Sequence, residues 1–195
     1  MPYIGATPTS IPLTATDIPD LPATKITSGT FPALNGSNLT NIDAGKILQV
    51  VSVAKTDTFT ISSGSLADIT NLSLNITPAS SSNKVLVYAF LVVGGSSAHA
   101  NFVIDRGGTD VGIGDASGSR SRYTIASNQD SNGNQPIQMS LMYLDSPNTT
   151  SETTYKIQGN NNGSTCYLNR TNTDSDNSGY GRFISTFTLM EIEGW

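Results

Sequence analysis

The chain has 195 residues, only 13% of them charged, and a net charge of −5. That length holds one ordinary core plus an extended arm, and the sparse, acidic charge excludes nucleic acid and anionic membrane surfaces, which call for clustered Lys and Arg. The single cysteine, Cys166, excludes an intrachain disulfide, and the abundance of Ser, Thr, Asn and Gly opposes helix while suiting a turn-rich β protein.

The chain opens on Met1-Pro2-Tyr3-Ile4-Gly5, without the basic and apolar regions of a signal peptide, so synthesis in the cytoplasm is the expectation. Residues 1–15 read as a Pro-punctuated peptide and residues 16–45 as an extended segment. Within the latter, PATKITSGTFPALNGSNLTNIDAG is apolar only at widely spaced Ile26, Phe31, Leu34, Leu39 and Ile42. Pro12, Pro19, Pro22 and Pro32 bar a continuous helix. Fixing backbone costs about 1–2 kcal/mol per residue, whereas a fully buried large apolar side chain contributes about 1.5–3 kcal/mol. So few anchors cannot order the segment within one chain. Two readings follow: a disordered linker, or a segment whose anchors sit in grooves of identical copies.

Residues 46–195 read as a compact β domain. Strands are expected at Lys46–Lys55, Thr58–Ile61 and Ala67–Thr77, the last with a slip in alternation between Ile69 and Leu72 that suggests a β-bulge. Val85–Val93 (VLVYAFLVV) is continuously apolar, too short to cross a bilayer as a helix, and so reads as a strand covered on both faces. One face meets the core. The other then meets another subunit, or long loops of the same one; Val87 and Phe90 are its candidate contact residues. Phe102–Asp105 and Asp110–Gly114 flank a glycine hairpin, and Arg122–Ala126 is short. Pro136–Asp145 alternates. Thr153–Gln158 and Thr165–Arg170 surround a Gly159–Gly163 turn. Arg182–Ile192 puts Phe183, Phe187 and Leu189 on one side and Ile184, Met190 and Ile192 on the other. This spacing predicts an all-β, antiparallel sandwich or jelly roll.

PALNGSNLTNI followed by DAGKILQVV, then SLNITPASSSNKVLV, IDRGGTDVGIGD, LDSPNTTSETTYKIQ and the terminal STFTLMEIEGW, resembles bacteriophage tail-fibre proteins of the marine and cyanobacterial phage type. The resemblance covers about residues 20–195, and MPYIGATP resembles the start of fibres that attach to the virion. It implies a homotrimer: residues 1–15 anchoring to tail, baseplate or head proteins through Tyr3 and Ile4, residues 16–45 interlacing as a stalk, and residues 46–195 forming a jelly-roll-like head. Trp195 is then expected at the trimer axis or head base. The implied task is adsorption through a host surface polysaccharide or protein. A decoration protein of head or tail, or a capsule depolymerase, are the alternatives.

Catalytic chemistry has little to work with. His99 is the only histidine, so a nucleophilic triad would have to use it; in SSAHANF beside a strand it reads as structural or superficial. Zinc ligands are missing. Asp174-Ser-Asp176-Asn-Ser178-Gly179 resembles the start of a calcium loop, but Ser185 stands where an EF-hand needs Glu. No enzyme activity, metal or cofactor is expected. Binding is expected instead on the long polar loops Asn128–Gln135 and Thr171–Gly181. Tyr rings can stack on sugar faces while Asn and Asp bond hydroxyls. That singles out Tyr123, Asn128, Asn132, Asn161, Asp174, Asp176 and Tyr180, with burial under a loop as the other reading of the tyrosines.

Overall fold

A computed structural model of the chain describes residues 47–96, 98–128 and 134–194. Tyr3, Ile4, Ile26, Phe31, Leu34, Leu39, Ile42, Asn132 and Trp195, with the two N-terminal segments, lie outside the described residues.

Eleven strands and no helix occur among the described residues: β1 (Ile47–Lys55), β2 (Phe59–Ile61), β3 (Ala67–Ile76), β4 (Lys84–Gly95), β5 (Ala98–Arg106), β6 (Thr109–Val111), β7 (Ile125–Asn128), β8 (Ile137–Asp145), β9 (Thr153–Gly163), β10 (Cys166–Leu168) and β11 (Ser185–Ile192). They form an antiparallel all-β sandwich of a six-stranded and a five-stranded sheet.

β4 organises the first sheet. β8 pairs along one side of it, Val85–Val93 against Ile137–Asp145. On the other side β11 pairs with Lys84–Phe90, and β10 takes over at Val93–Gly95. β1 extends the sheet beyond β11, and β2 beyond β10. Where β4 changes partner, ladder bonds run out and Asn169 replaces them. It is fully buried, with φ of 62°, a left-handed conformation that Asn tolerates. Its backbone N–H donates to the Val92 carbonyl (2.9 Å), its Nδ2 to the carbonyls of Lys55 (2.8 Å) and Asp57 (3.0 Å), and its Oδ1 accepts from Ser185 Oγ (2.7 Å). Gly94 lies at the same junction because a Cβ there would strike the Arg170 carbonyl.

β5 organises the second sheet. β9 runs along one side, with β3 beyond it, and β7 and then β6 share the other. The expected irregularity in β3 is present: the register with β9 shifts between Asp68 and Ser73, and Asn71 has φ of 65°. The core lies between the sheets, with Val85, Val87, Ala89 and Leu91 of β4 and Phe187 and Leu189 of β11 facing Leu72, Phe102, Ile104, Tyr155 and Ile157. Cys166 is buried there, and burial pushes its thiol pKa up to about 11, as suits an inert packing residue.

Three expectations need correction. Gly159–Gly163 is not a turn: β9 continues through it, with Asn160, Asn161 and Asn162 opposite Asn101, Ala100 and His99. The pairing partner overrides the turn propensity of the asparagines, and the chain reverses only after Gly163. β11 begins at Ser185; Arg182 instead forms an isolated bridge with Arg170. Val87 has none of its surface exposed, because its parity on β4 points it into the chain's own core, so its side chain is unavailable to a neighbour.

Candidate functional site

Strand parity gives the first sheet two faces, both with apolar residues. The inward face is the core. On the outward face, register aligns Val50 of β1, Met190 of β11, Leu86 of β4 and Leu144 of β8 in one row across four strands. The next row is Ser52, Thr188, Tyr88 and Met142, and the third is Ala54, Thr186, Phe90 and Ser140. No charged residue stands in these rows. Val50 is 55% exposed and Met142 68%, with Ile47, Leu48, Leu144 and Ile184 also open. A shallow recess of about 480 Å³, lined by Phe90, Val92, Gln138, Arg182, Phe183 and Ile184, lies beside the third row. Phe183 therefore belongs to this outward side, not with Phe187 and Leu189. Antiparallel sheets that face water normally alternate polar outward, and a contiguous apolar patch marks an interaction surface.

A second feature lies where β8 and β6, each at an edge of its sheet among the described residues, come together. It is a cleft of about 740 Å³ whose lining includes Arg106, Asp110, Gly112, Ile113, Tyr123, Tyr143 and Asp145. Asp145 ends β8 at the inward parity and is buried. Its charge is matched by Arg106, whose Nη1 donates to both carboxylate oxygens (2.9 and 2.8 Å) and to the Ser146 carbonyl (3.3 Å). Tyr155 donates its hydroxyl to the same carboxylate at 2.6 Å. Burial, together with the carboxylate it serves, holds the Tyr155 phenol well above its ordinary pKa, so it remains a donor. Tyr143 fills the mouth of the sandwich, its ring over Gly112. A Cβ at Gly112 would come within 2.8 Å of that ring, and φ of +64° also favours glycine there.

The third feature is a smaller basin of about 330 Å³ formed by Asp174, Ser175, Asp176, Asn177, Tyr180 and Arg182. Asp174 is paired with Arg182, whose bond holds its carboxyl below the usual range, and Arg170 stands at 3.9 Å. Asn177 Oδ1 accepts from the Gly179 N–H at 2.8 Å, closing the turn. Among the described residues no group of three His, Cys, Asp or Glu side chains is placed to hold a metal ion.

The residues singled out from sequence therefore divide. Asp174, Asp176 and Tyr180 share the basin, whereas Tyr123 lines the cleft, its hydroxyl accepting from Asn160 Nδ2 at 3.3 Å. Asn128 is exposed at the end of β7, opposite His99. Asn161 is a correction: it is buried in β9, its Nδ2 donating to the Ser164 carbonyl (3.0 Å) and its N–H to the Ser63 carbonyl (2.9 Å), so it is structural. Arg106, Asp110, Tyr143 and Asp145 escaped the sequence reading. One signal could have found them: Asp145 continues the inward series Ile137, Met139, Leu141, Tyr143, and a carboxylate at a buried parity requires a cation.

The sequence matches no protein-family model and no curated protein. Among solved structures, it is similar to those of infectious bursal disease virus Gx strain (14% identity, TM-score 0.39) and Gt strain (14%, 0.40). It is similar also to the VP2 subviral particle of the same virus (14%, 0.40). Each match covers 75% of this chain but only 37%, 38% and 41% of the respective viral chain, so this chain spans about two-fifths of their length.

Proposed function

We propose that this chain is a virion fibre protein of the phage tail-fibre kind, a homotrimer whose β-sandwich is a head that binds host surface glycan. The observation that carries this reading is the outward face of the first sheet. Its row Val50–Met190–Leu86–Leu144 is apolar, uncharged and four strands wide. Left in water, such a face promotes association. Identical copies suit it because rows that carry no charge meet their own kind without repulsion. Ile47, Leu48 and Val50 also carry the apolar surface back to the point where the 46 preceding residues join. In this reading those residues anchor the fibre to tail, baseplate or head and interlace, and Phe90, rather than Val87, contributes to the subunit contact. The protein works by binding, without catalysis or cofactor, and three heads multiply weak single-site affinities.

Sedimentation and cross-linking of the full chain in dilute solution test the assembly; a trimer is expected, and a monomer overturns the reading. Labelled protein on intact virions, and its binding to host cells, test the rest. A decoration protein would locate to the shell and leave host cells unbound.

A further inference from the structure

We infer that the cleft between the β8 and β6 edges binds an acidic saccharide, a pyranose that carries a carboxylate. This rests on the glycan-binding reading above and deepens it by naming the site and the class of sugar.

Positive charge without an acid partner gathers at this cleft. Lys55, Arg106, Lys156, Arg170 and Arg182 are each ion-paired with an aspartate. Lys84, Arg120 and Arg122 are the Lys and Arg side chains among the described residues that have no such pair. Two of them bond the cleft lining. Lys84 Nζ donates to Ser146 Oγ at 2.9 Å, and Arg122 Nε donates to the Gly114 carbonyl at 2.5 Å. Neither bond cancels charge, because a hydroxyl and a carbonyl are neutral. Arg120 stands on the same loop between β6 and β7, its Nη1 donating to Ser117 Oγ at 2.8 Å.

Charge selects the class. Arg106 is committed to Asp145, so that pair adds no net charge. Asp110 is the exposed carboxylate left on the lining, against Lys84 and Arg122. Asp115, on the loop, is matched in number by Arg120. The cleft therefore carries a local excess of positive charge in a chain whose net charge is −5. A uronic or sialic carboxylate gains from Lys84 and Arg122 at a range where salt screens only in part. Its ring hydroxyls can donate to Asp110, and its C–H face can stack on Tyr143, 37% exposed and backed by Gly112. The basin at Asp174 has the opposite balance: that carboxylate takes up both Arg170 and Arg182, and Asp176 is left over.

The test titrates the full-length protein by calorimetry with uronic-acid and sialylated oligosaccharides, with their methyl esters, and with neutral glucose and galactose oligosaccharides. The acids are expected to bind at least about tenfold tighter than the esters, and added sodium chloride should narrow the gap. Lys84→Gln and Arg122→Gln should each weaken acid binding about fivefold, and Lys156→Gln, whose cation serves Asp68, should stay within about twofold. The ester comparison uses the unaltered protein, so it stands even where a substitution loosens the fold. Esters or neutral sugars that bind as tightly as the acids overturn the charge selection. Acid binding unchanged in the variant carrying both Lys84→Gln and Arg122→Gln overturns the site while leaving glycan binding intact. A trimer that binds none of these sugars overturns both this inference and the glycan half of the proposed function, while the assembly half stands.

Discussion

The outward faces of the two sheets solve the same problem in opposite ways. The second sheet covers its own. Asn101 Nδ2 donates to Asn160 Oδ1 (3.0 Å), and Asn160 Nδ2 donates to the Gly64 carbonyl (3.0 Å) and the Tyr123 hydroxyl (3.3 Å), tying loops over the strands. Further along, Asp68 accepts from Lys156 Nζ and Gln158 Nε2, both at 2.7 Å. Among the described residues the first sheet has no such cover over Val50, Met142 and Leu144. A polar face is satisfied by side chains of its own chain or by water, whereas an apolar face of this width is satisfied only by another apolar surface. The difference separates a face that the chain covers with its own polar side chains from one that it leaves apolar and exposed.

The sharpest way to break this contrast compares the two parities of the first sheet. Val87→Asp puts an unpaired carboxylate into the core and should cost about 4 kcal/mol or more, abolishing folding in thermal melts. On the opposite parity, Val50→Lys combined with Met142→Lys should change stability by no more than about 1 kcal/mol, since both sites are exposed. The same pair should reduce the sedimenting species from trimer to monomer. A trimer surviving both lysines would show that the apolar rows are not the contact.

A smaller effect tests the covered sheet. Asn160→Ala strands the Asn101 amide and the Gly64 carbonyl, and denaturant titration should show a loss of about 2 kcal/mol with no change in mass. A change in oligomeric state there would erase the distinction between the faces.

The smallest effect is electrostatic. The bond from Lys156, then that from Gln158, lowers the Asp68 pKa below its ordinary 3.8. The folded pKa is depressed, so the contribution is present above about pH 3.8 and lost as pH falls through the folded value. Melting curves should place wild type slightly above Asp68→Asn at pH 7, with the gap closing in strong acid. The pair is exposed, so salt should narrow the gap as well.

Much of the sandwich was legible because strands announce themselves locally. The alternation of β8 and β11, the glycine hairpin before β6 and the slip at Ile69–Leu72 each required only neighbouring residues. Partners were not legible. His99-Ala-Asn and Gly159–Gly163 lack strand character, yet each becomes strand because the other is its partner across the β5–β9 ladder. The candidate sites fared similarly. Tyr123 and the Asp174–Tyr180 group were visible as polar-loop chemistry, but nothing local tied Tyr123 to Arg106 and Tyr143.

The sequence alone determined that this is a β protein with a continuously apolar strand at Val85–Val93, because period and composition act at the range of a few residues. Only the tertiary structure decided which side chains share a face. It turned Val87 inward and Phe90 outward, joined Val50 to Leu144 across four strands, and set Arg106 beside Asp145. Register and sheet packing bring together residues far apart in the chain, and one step of register reverses every side chain.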